Sequence, residues 1–421
     1  MLYERWIEVA RRERSEVALM EVSTGRSWTF GELEREADRS PALDGLVSPS
    51  GRDAAFVFEV LRAWRHGAVL CPVDAGQTVE TLPELPAGCV HLKLTSASTG
   101  VSRLVAFTAD QLAADVDQIV GTMGLRRDWP NIGVLSLAHS YGFSNLVLPL
   151  LLHGVPLILA ESNLPEALRQ ALEIRPEVTL PAVPVLWRHW LEASVISPRI
   201  RLAISAGAPL PVALESALYR EQGVKVHNFY GATECGGIAY DAEPLPRADD
   251  TWVGQPMRGV QLAVATDGCL EVRAASVGQG YLPADPQHLG QGRYHSRDLA
   301  EVGAAGVRLL GRASDLINVA GRKVAPETIE SVAAQLPGVG ACVVFGVPED
   351  GSGRNEKIVA IVAPSRSEAL NLDIVRDRLL SRLPAWQVPR EWKRVEEIAA
   401  NVRGKVSRAG WRQRYLSGDL G

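Results

Sequence analysis

"LTSASTGVSRLVAFT", residues 94–108, gathers Thr95, Ser96, Ser98, Thr99 and Gly100 into one short run and carries its first basic residue at Arg103. Small hydroxyl residues beside a glycine leave backbone N–H groups open and add O–H donors, a combination that suits a polyphosphate. The same letters also suit an ordinary Ser/Thr-rich turn between a strand and a helix. The rest of the chain has to decide between them.

With 421 residues the chain exceeds one ordinary hydrophobic core, so two or three cooperating domains are expected. An apolar content of 46% describes a globular protein able to bury a large core. The 44 basic residues stand against 49 acidic ones, for a net charge of −5, which argues against a nucleic-acid or anionic-membrane binder. Cys71, Cys89, Cys235, Cys269 and Cys342 are scattered with no C-x-x-C pair, so neither a disulfide framework nor a zinc site is expected. The opening "MLYERWIEVARRERSE" has no apolar signal-peptide region. The longest apolar run, "LVLPLLLHGVPLILA", is interrupted by Pro149, His153, Gly154 and Pro156; it reads as a buried helix followed by a strand, not as a membrane span. A cytoplasmic setting is expected.

The first two thirds alternate strands with helices. "IGVLSLA", "IRLAISAG" and "VKVHNFYG" are strand-like, and "PVALESALYREQG" is a helix with Pro211 near its start and Gly223 at its end. The expectation is an α/β architecture of packed, largely covered sheets. Between residues 241 and 310 the pattern changes to "GVQLAVA", "GCLEVRA" and "GVRLLGR", short strands that suggest a small antiparallel or barrel-like subdomain. From about residue 316 a self-contained α+β unit follows: "PETIESVAAQLPG" and "LDIVRDRLLSRLP" as helices, with "VGACVVFGVP", "KIVAIVAP" and "REWKRVEEI" as strands. The boundary falls in "GRASDLI", giving units 1–313 and 314–421.

Further segments bear on the opening run. "ISAGAPL" (204–210) ends a strand in small residues, Gly207, Ala208 and Pro209, that leave room for a flat ligand. "NFYGATECGG" (228–237) places Tyr230, Gly231, Thr233 and Glu234 just past another strand: an aromatic to stack a base, a hydroxyl for a phosphate and a carboxylate for Mg2+. "YHSRDL" (294–299) offers Asp298 to ribose hydroxyls, "GRASDLINVAGRKVAPETIE" (311–330) supplies Arg312 and a glycine turn, and "NVRGKVSR" (401–408) presents Lys405. Each has a plain structural explanation: Tyr230 as a core aromatic, Asp298 as a turn residue, Lys405 as one charge among Arg403, Arg408 and Arg412. Their joint occurrence in this order is harder to explain that way.

On these motifs the chain resembles the adenylate-forming superfamily of acyl- and aryl-CoA synthetases, peptide-synthetase adenylation domains and luciferases. The family's phosphate loop, roughly T-S-G-S-T-G-x-P-K, is similar to Thr95–Arg103; Y-G-x-T-E is met by Tyr230–Glu234, Y-x-x-x-D-L by Tyr294–Leu299, G-R-x-x-D-x-I by Gly311–Ile317 and G-K-x-x-R by Gly404–Arg408. "SWTFGELEREADR" and "VLRAWRHGAVLCPVD" resemble the family's opening signatures, so the likeness spans nearly the whole chain. There are departures. Ala97 replaces a glycine, Ser102 and Arg103 stand where proline and lysine are usual, Ser314 replaces the hinge Asp or Lys, and the stretch between "CPVDAG" and "LTSAST" is short. Arginine keeps the charge and can bridge two phosphate oxygens. Walker A is absent, since Gly404-Lys405 is followed by Val406, and "GQGYLP" and "GQGRYH" fail G-x-G-x-x-G.

The resemblance implies a carboxylic acid activated by ATP to an acyl-adenylate, then transferred to a thiol. It assigns Lys405 to the attacking carboxylate and α-phosphate, Glu234 to Mg2+ and Thr233 to the α-phosphate. Thr95, Ser96, Ser98, Thr99, Gly100 and Arg103 would hold the β- and γ-phosphates. Tyr230, Gly231 and the Gly207-Ala208-Pro209 turn would enclose adenine, and Asp298 and Arg312 would fix the ribose. Because Lys405 lies in the small unit, the pattern implies that this unit swings between steps, bringing the turn at Gly321 to the thiol channel. Amino-acid-activating relatives carry an F-D pair where this chain has "AHSYGFS", whose His139 and Tyr141 resemble aryl- and acyl-CoA synthetases instead. His139, Tyr141, Phe143, Gly236, Gly237 and Ile238 are the candidate acid-pocket residues, with the two glycines leaving space for a ring or chain. The implied thiol is CoA; the alternatives are a carrier protein's phosphopantetheine or a non-catalytic nucleotide- or acid-binding module.

Overall fold

The computed structural model of the chain describes residues 1–39, 45–77, 84–95, 103–349, 355–365, 369–398 and 406–420. Six apolar segments lie side by side as parallel strands, in the order Val17–Glu21, Leu157–Leu159, Asn131–Gly133, Val178–Ala182, Ile200–Ser205 and Val226–Ala232. Val178–Ala182 is buried at every position, as befits a strand covered on both faces. The helices Pro184–Glu192 and Val212–Gln222 make the crossovers between the last three strands, and Trp187 and Trp190 are fully buried against the sheet. Val212–Gln222 starts after Pro211 and stops at Gly223, which takes a φ of +67°.

Past Val226–Ala232 the sheet turns antiparallel, continuing through Gly236–Tyr240, Trp252–Pro256, Gly306–Arg312, Arg293–Gly303, Cys269–Arg273 and Gln261–Val264. The barrel-like subdomain expected from sequence is thus an open extension of the large sheet, and no closed barrel forms among the described residues. Gly236–Tyr240 spends both hydrogen-bonding edges within this sheet, while Gln261–Val264 remains a largely exposed outer strand.

A second sheet runs Leu46–Val47, Val69–Leu70, His91–Leu94, Leu104–Phe107 and Gly280–Leu282. Its central pair forms an antiparallel hairpin, with His91 opposite Phe107 and Leu94 opposite Leu104. The hydroxyl run therefore joins two strands, and not the strand and helix of the plain-turn alternative. Leu104–Phe107 is buried throughout and so forms a strand, and the helix Ala109–Met123 begins only at Thr108, whose side chain makes a reciprocal cap with Gln111.

Toward the C-terminus, Val339–Pro348 pairs antiparallel with Glu356–Pro364, which pairs parallel with Glu391–Arg394. Alternate residues face opposite ways. Val344, Ile358, Ala360 and Val362 pack with Ile329, Val375 and Leu379 of the helices Pro326–Ala333 and Leu372–Leu380. Phe345, Val347, Val359 and Ile361 pack with Trp411 of the helix Arg408–Ser417. All five cysteines are free, and no helix of the described residues is long and apolar enough to cross a membrane.

Candidate active site

Gly207, Tyr230 and Gly231 all sit at or just past the carboxyl ends of parallel strands, the usual place for a ligand cleft in such a sheet. Gly207 takes a φ of +84°, which turns the chain immediately after Ile200–Ser205 and leaves Gly207 and Pro209 exposed and Ala208 half-buried.

At the base of the hydroxyl run the Thr95 N–H donates to the Arg103 carbonyl at 2.8 Å, and the Arg103 N–H returns a bond to Thr95 Oγ1 at 2.9 Å. Ser96, Ser98, Thr99 and Gly100 lie outside the described residues. The Arg103 guanidinium pairs with Asp285 Oδ2 at 3.1 Å and lies 3.6 Å from the centre of the Tyr281 ring. The Tyr281 hydroxyl in turn donates to Glu234 Oε1 at 2.7 Å. Arg103 and Glu234, far apart in sequence, are thereby connected through one aromatic ring.

Thr233, Glu234 and Cys235 form the turn between Val226–Ala232 and Gly236–Tyr240. The turn is pinned from outside: the Gly278 N–H donates to the Glu234 carbonyl at 2.9 Å, and Ser276 Oγ donates to the Cys235 carbonyl at 2.7 Å. Burial pushes the Glu234 carboxyl above its ordinary range, with the Tyr281 hydrogen bond acting the other way. No basic side chain lies within ion-pair distance of it among the described residues. The Arg312 charge acts on it only from beyond that distance. A half-buried carboxylate with no cation in direct contact is chemically suited to a divalent cation.

Asp298 is held from two sides. The Tyr230 hydroxyl donates to Oδ2 at 2.6 Å and Arg312 Nε to Oδ1 at 3.1 Å, with Asp298 and Arg312 opposite each other on neighbouring strands. Burial opposes the Arg312 charge, yet the facing carboxylate prevails and its pKa is raised. Two charge-assisted donors fix the carboxylate before any ligand arrives. Asp298→Asn is accordingly expected to raise KM for ATP by about ten- to a hundredfold, the equivalent of losing one or two such bonds. Initial rates at varied ATP test this; an unchanged KM would remove Asp298 from the nucleotide site.

The acid-pocket candidates divide. His139 Nε2 meets Asp74 Oδ2 at 3.1 Å, and Ser136 Oγ donates to Asp74 Oδ1 at 2.9 Å. The Tyr141 hydroxyl reaches the carbonyls of Ala182 and Ile204, each at 3.4 Å, at the ends of two parallel strands, and its ring lies 5.9 Å from that of Phe229. Phe143 and Ile238 are fully buried core residues, Phe143 packing on the His91 ring at 4.5 Å. Gly236 and Gly237 do not leave open space. A Cβ on Gly236, whose φ is +72°, would lie 1.9 Å from Asp115 Oδ1, and one on Gly237 would lie 2.4 Å from Met257 Sδ. These glycines admit protein atoms. Gly236→Ala is expected to destabilise the fold by about 2 kcal/mol or more, read as a lower denaturant midpoint.

Lys405 falls outside the described residues, but Arg408 of the same motif is in place, paired with Asp315, with Glu327 at 2.9 Å and with Glu330 at 2.9 Å. Gly321, with φ +82°, follows Ala320, with φ +51°, in the tight turn joining Ile317–Val319 to Arg322–Val324. Tyr281, Asp285 and Asp74 were not anticipated. Only a knowledge of strand pairing between Gly280–Leu282 and Leu104–Phe107 would have brought the first two to Arg103.

The structure thus holds Asp298 between two donors and links the half-buried Glu234 carboxylate to Arg103 through the Tyr281 ring. The AMP-binding enzyme family matches residues 73–282, and its C-terminal domain matches residues 328–405. The chain belongs to this family of adenylate-forming enzymes. It is 27% identical over 412 residues to a feruloyl-CoA synthase of Amycolatopsis, covering 89% of this chain and 82% of that protein. It is likewise 27% identical over 394 residues to a probable 2-succinylbenzoate–CoA ligase of Mycobacterium tuberculosis, covering 89% and 94%. The fold is shared with ATP-bound MatB of Rhodopseudomonas palustris, with a TM-score of 0.85, 20% identity and 99% of each chain covered.

Proposed function

We propose that the chain joins a small carboxylic acid, aryl or fatty acyl, to the thiol of CoA. In the first step the carboxylate oxygen attacks the α-phosphorus of ATP, the bond to the bridging oxygen breaks, and pyrophosphate leaves, giving an acyl-adenylate. In the second the thiol attacks the acyl carbon, AMP leaves with the electron pair of the broken C–O bond, and a thioester remains. The observation that carries this reading is the pair of carboxylates, Asp298 fixed by Tyr230 and Arg312, and Glu234 half-buried with a hydrogen bond from Tyr281 and no cation in direct contact among the described residues.

Bringing an anion onto a polyanion requires positive charge and oriented donors more than covalent help. Asp298 and Arg312 orient the ribose, while Tyr230, Gly231 and the Gly207–Pro209 turn border the adenine. Thr233 and Lys405 face the α-phosphate, and the Thr95–Arg103 run receives the β- and γ-phosphates. Mg2+ held at Glu234 would supply charge neutralisation of those phosphates. His139, fixed by Asp74, and Tyr141 line the acid's side. Both oxygens of Asp74 are engaged, which leaves a substrate ammonium without a counter-ion there and disfavours amino acids. The similarity to enzymes named for feruloyl and 2-succinylbenzoate substrates supports an aryl acid. The division at residues 313/314 separates the nucleotide-holding unit from one that carries Lys405 and swings between the two steps, with Gly321 reaching the thiol channel. Five free cysteines suit a reducing cytoplasm.

Acid-dependent ATP–pyrophosphate exchange over a panel of aryl, fatty and hydroxy acids tests the first step. Exchange with an aryl acid, followed by thioester formation on adding CoA, is the expected result. Thioester only with a phosphopantetheine-bearing carrier protein would reassign the acceptor. No exchange with any acid and no binding of an acyl-AMP mimic would overturn the reading.

A further inference from the structure

Beneath the Glu234 turn lies a charged cluster to which the two-step reaction gives no task. Lys93 and Asp115 have side chains only 3% and 2% exposed, and Lys93 Nζ stands 3.5 Å from Asp115 Oδ2. Ser144 Oγ bridges them, accepting from Lys93 Nζ at 3.1 Å and donating to Asp115 Oδ2 at 2.6 Å. The other carboxylate oxygen, Oδ1, accepts the Gly237 N–H at 3.2 Å, and the Lys93 ammonium also faces the Phe107 ring at 4.7 Å.

Four segments meet at this cluster. Lys93 is two residues ahead of Thr95, in the strand that enters the hydroxyl run. Asp115 belongs to the helix Ala109–Met123, and Ser144 to a single wide helical turn, Phe143–Val147, an irregularity often found at functional sites. Gly237 follows the Glu234 turn by three residues, and Gly236 beside it is shaped to admit the Asp115 carboxylate. Stability is a poor reason for such a pair, because desolvating two ions costs several kcal/mol each and apolar residues of similar volume usually serve as well. Fixing two loops against each other is a better one.

We propose that Lys93, Asp115 and Ser144 are positioning residues that hold the Glu234 turn in register with the phosphate-binding hairpin. Magnesium-dependent binding of the triphosphate depends on them, whereas binding of AMP does not. The inference rests on the reading of Glu234 as the Mg2+ carboxylate.

The test is calorimetric binding of AMP without metal, and of α,β-methylene-ATP with and without Mg2+. It uses the full chain and the Lys93→Met/Asp115→Asn double variant, which removes both charges yet keeps an oxygen for the Gly237 N–H. The expected result is an AMP affinity within about twofold of the parent, with the Mg2+-dependent tightening of the analogue reduced about tenfold or more, as for groups that orient metal ligands. Parallel weakening of both ligands, or no change in either, would overturn the proposal. If the double variant does not fold, Ser144→Ala decides the matter: it removes only the bridging hydroxyl, and the same split of several-fold is expected, its absence being fatal. A parent protein showing no Mg2+-dependent tightening would instead defeat the Glu234 reading and this inference with it, an outcome distinct from variants that keep it.

Discussion

Glu234→Gln should reduce ATP–pyrophosphate exchange by about 10²-fold or more, while leaving AMP affinity nearly unchanged. The amide keeps the size of the side chain and an oxygen for the Tyr281 hydroxyl, so the turn pinned by Gly278 and Ser276 has no reason to move. What disappears is the negative charge of a half-buried carboxylate that no basic side chain of the described residues meets at ion-pair distance. If the variant exchanges pyrophosphate at the parent rate at limiting Mg2+, Glu234 is not the metal carboxylate.

The pH dependence follows from the same burial. Burial raises the Glu234 pKa, so on acidification its carboxyl takes up a proton at a higher pH than an exposed glutamate would. Proton and Mg2+ compete for that carboxylate, and exchange should therefore fall on the acid side, with the fall displaced to lower pH by excess Mg2+. The contribution to stability runs the other way. Between the unfolded and the raised folded value the native state binds more protons, so for this group stability is present at low pH and is lost as pH rises through the folded value. Glu234→Gln should remove both effects together, whereas a general acid unfolding would remain in the variant.

Much of the architecture was readable because it is local. The strand-and-helix alternation through residues 200–232, the Pro211 and Gly223 boundaries and the order of the motifs need only near neighbours in the chain. What escaped depends on register. Arg103 meets Tyr281 and Asp285 because Gly280–Leu282 adds antiparallel to Leu104–Phe107, across a separation of 182 residues between Arg103 and Asp285. A pairing of that range leaves no periodic trace in either segment. Gly236 and Gly237 show the converse error. Two glycines beside the Glu234 turn invite the idea of an open pocket, but a missing Cβ says only that something approaches closely, and here it is Asp115 and Met257. Of the antiparallel and barrel-like alternatives for residues 241–310 the open antiparallel one holds; the sequence left the choice open because short strands separated by glycine and proline turns look alike whether the sheet closes or continues.

Lys405→Ala should separate the two half-reactions. Adenylation is expected to fall by about 10²–10³-fold, the usual loss when a donor to developing transition-state charge is removed, while thioester formation from supplied acyl-adenylate stays within a fewfold of the parent. The G-K-x-x-R motif supplies the lysine, and the described part of that motif is firmly held. Arg408 is gripped by Asp315, Glu327 and Glu330, and these carboxylates raise its pKa although burial alone would lower it. Asp315 follows Arg312, the partner of Asp298, by only three residues. The segment that follows Lys405 is thus tied at Arg408 to the stretch just after Arg312, so the proposed rotation near residues 313 and 314 would carry both together. Under the proposed mechanism such a lysine would be needed while the carboxylate attacks phosphorus and dispensable once AMP is the leaving group. Quench-flow with ATP and acid for the first step, and with chemically prepared acyl-adenylate and CoA for the second, measures the two separately; equal losses in both would show that Lys405 supports the fold or the nucleotide generally and not the first transfer.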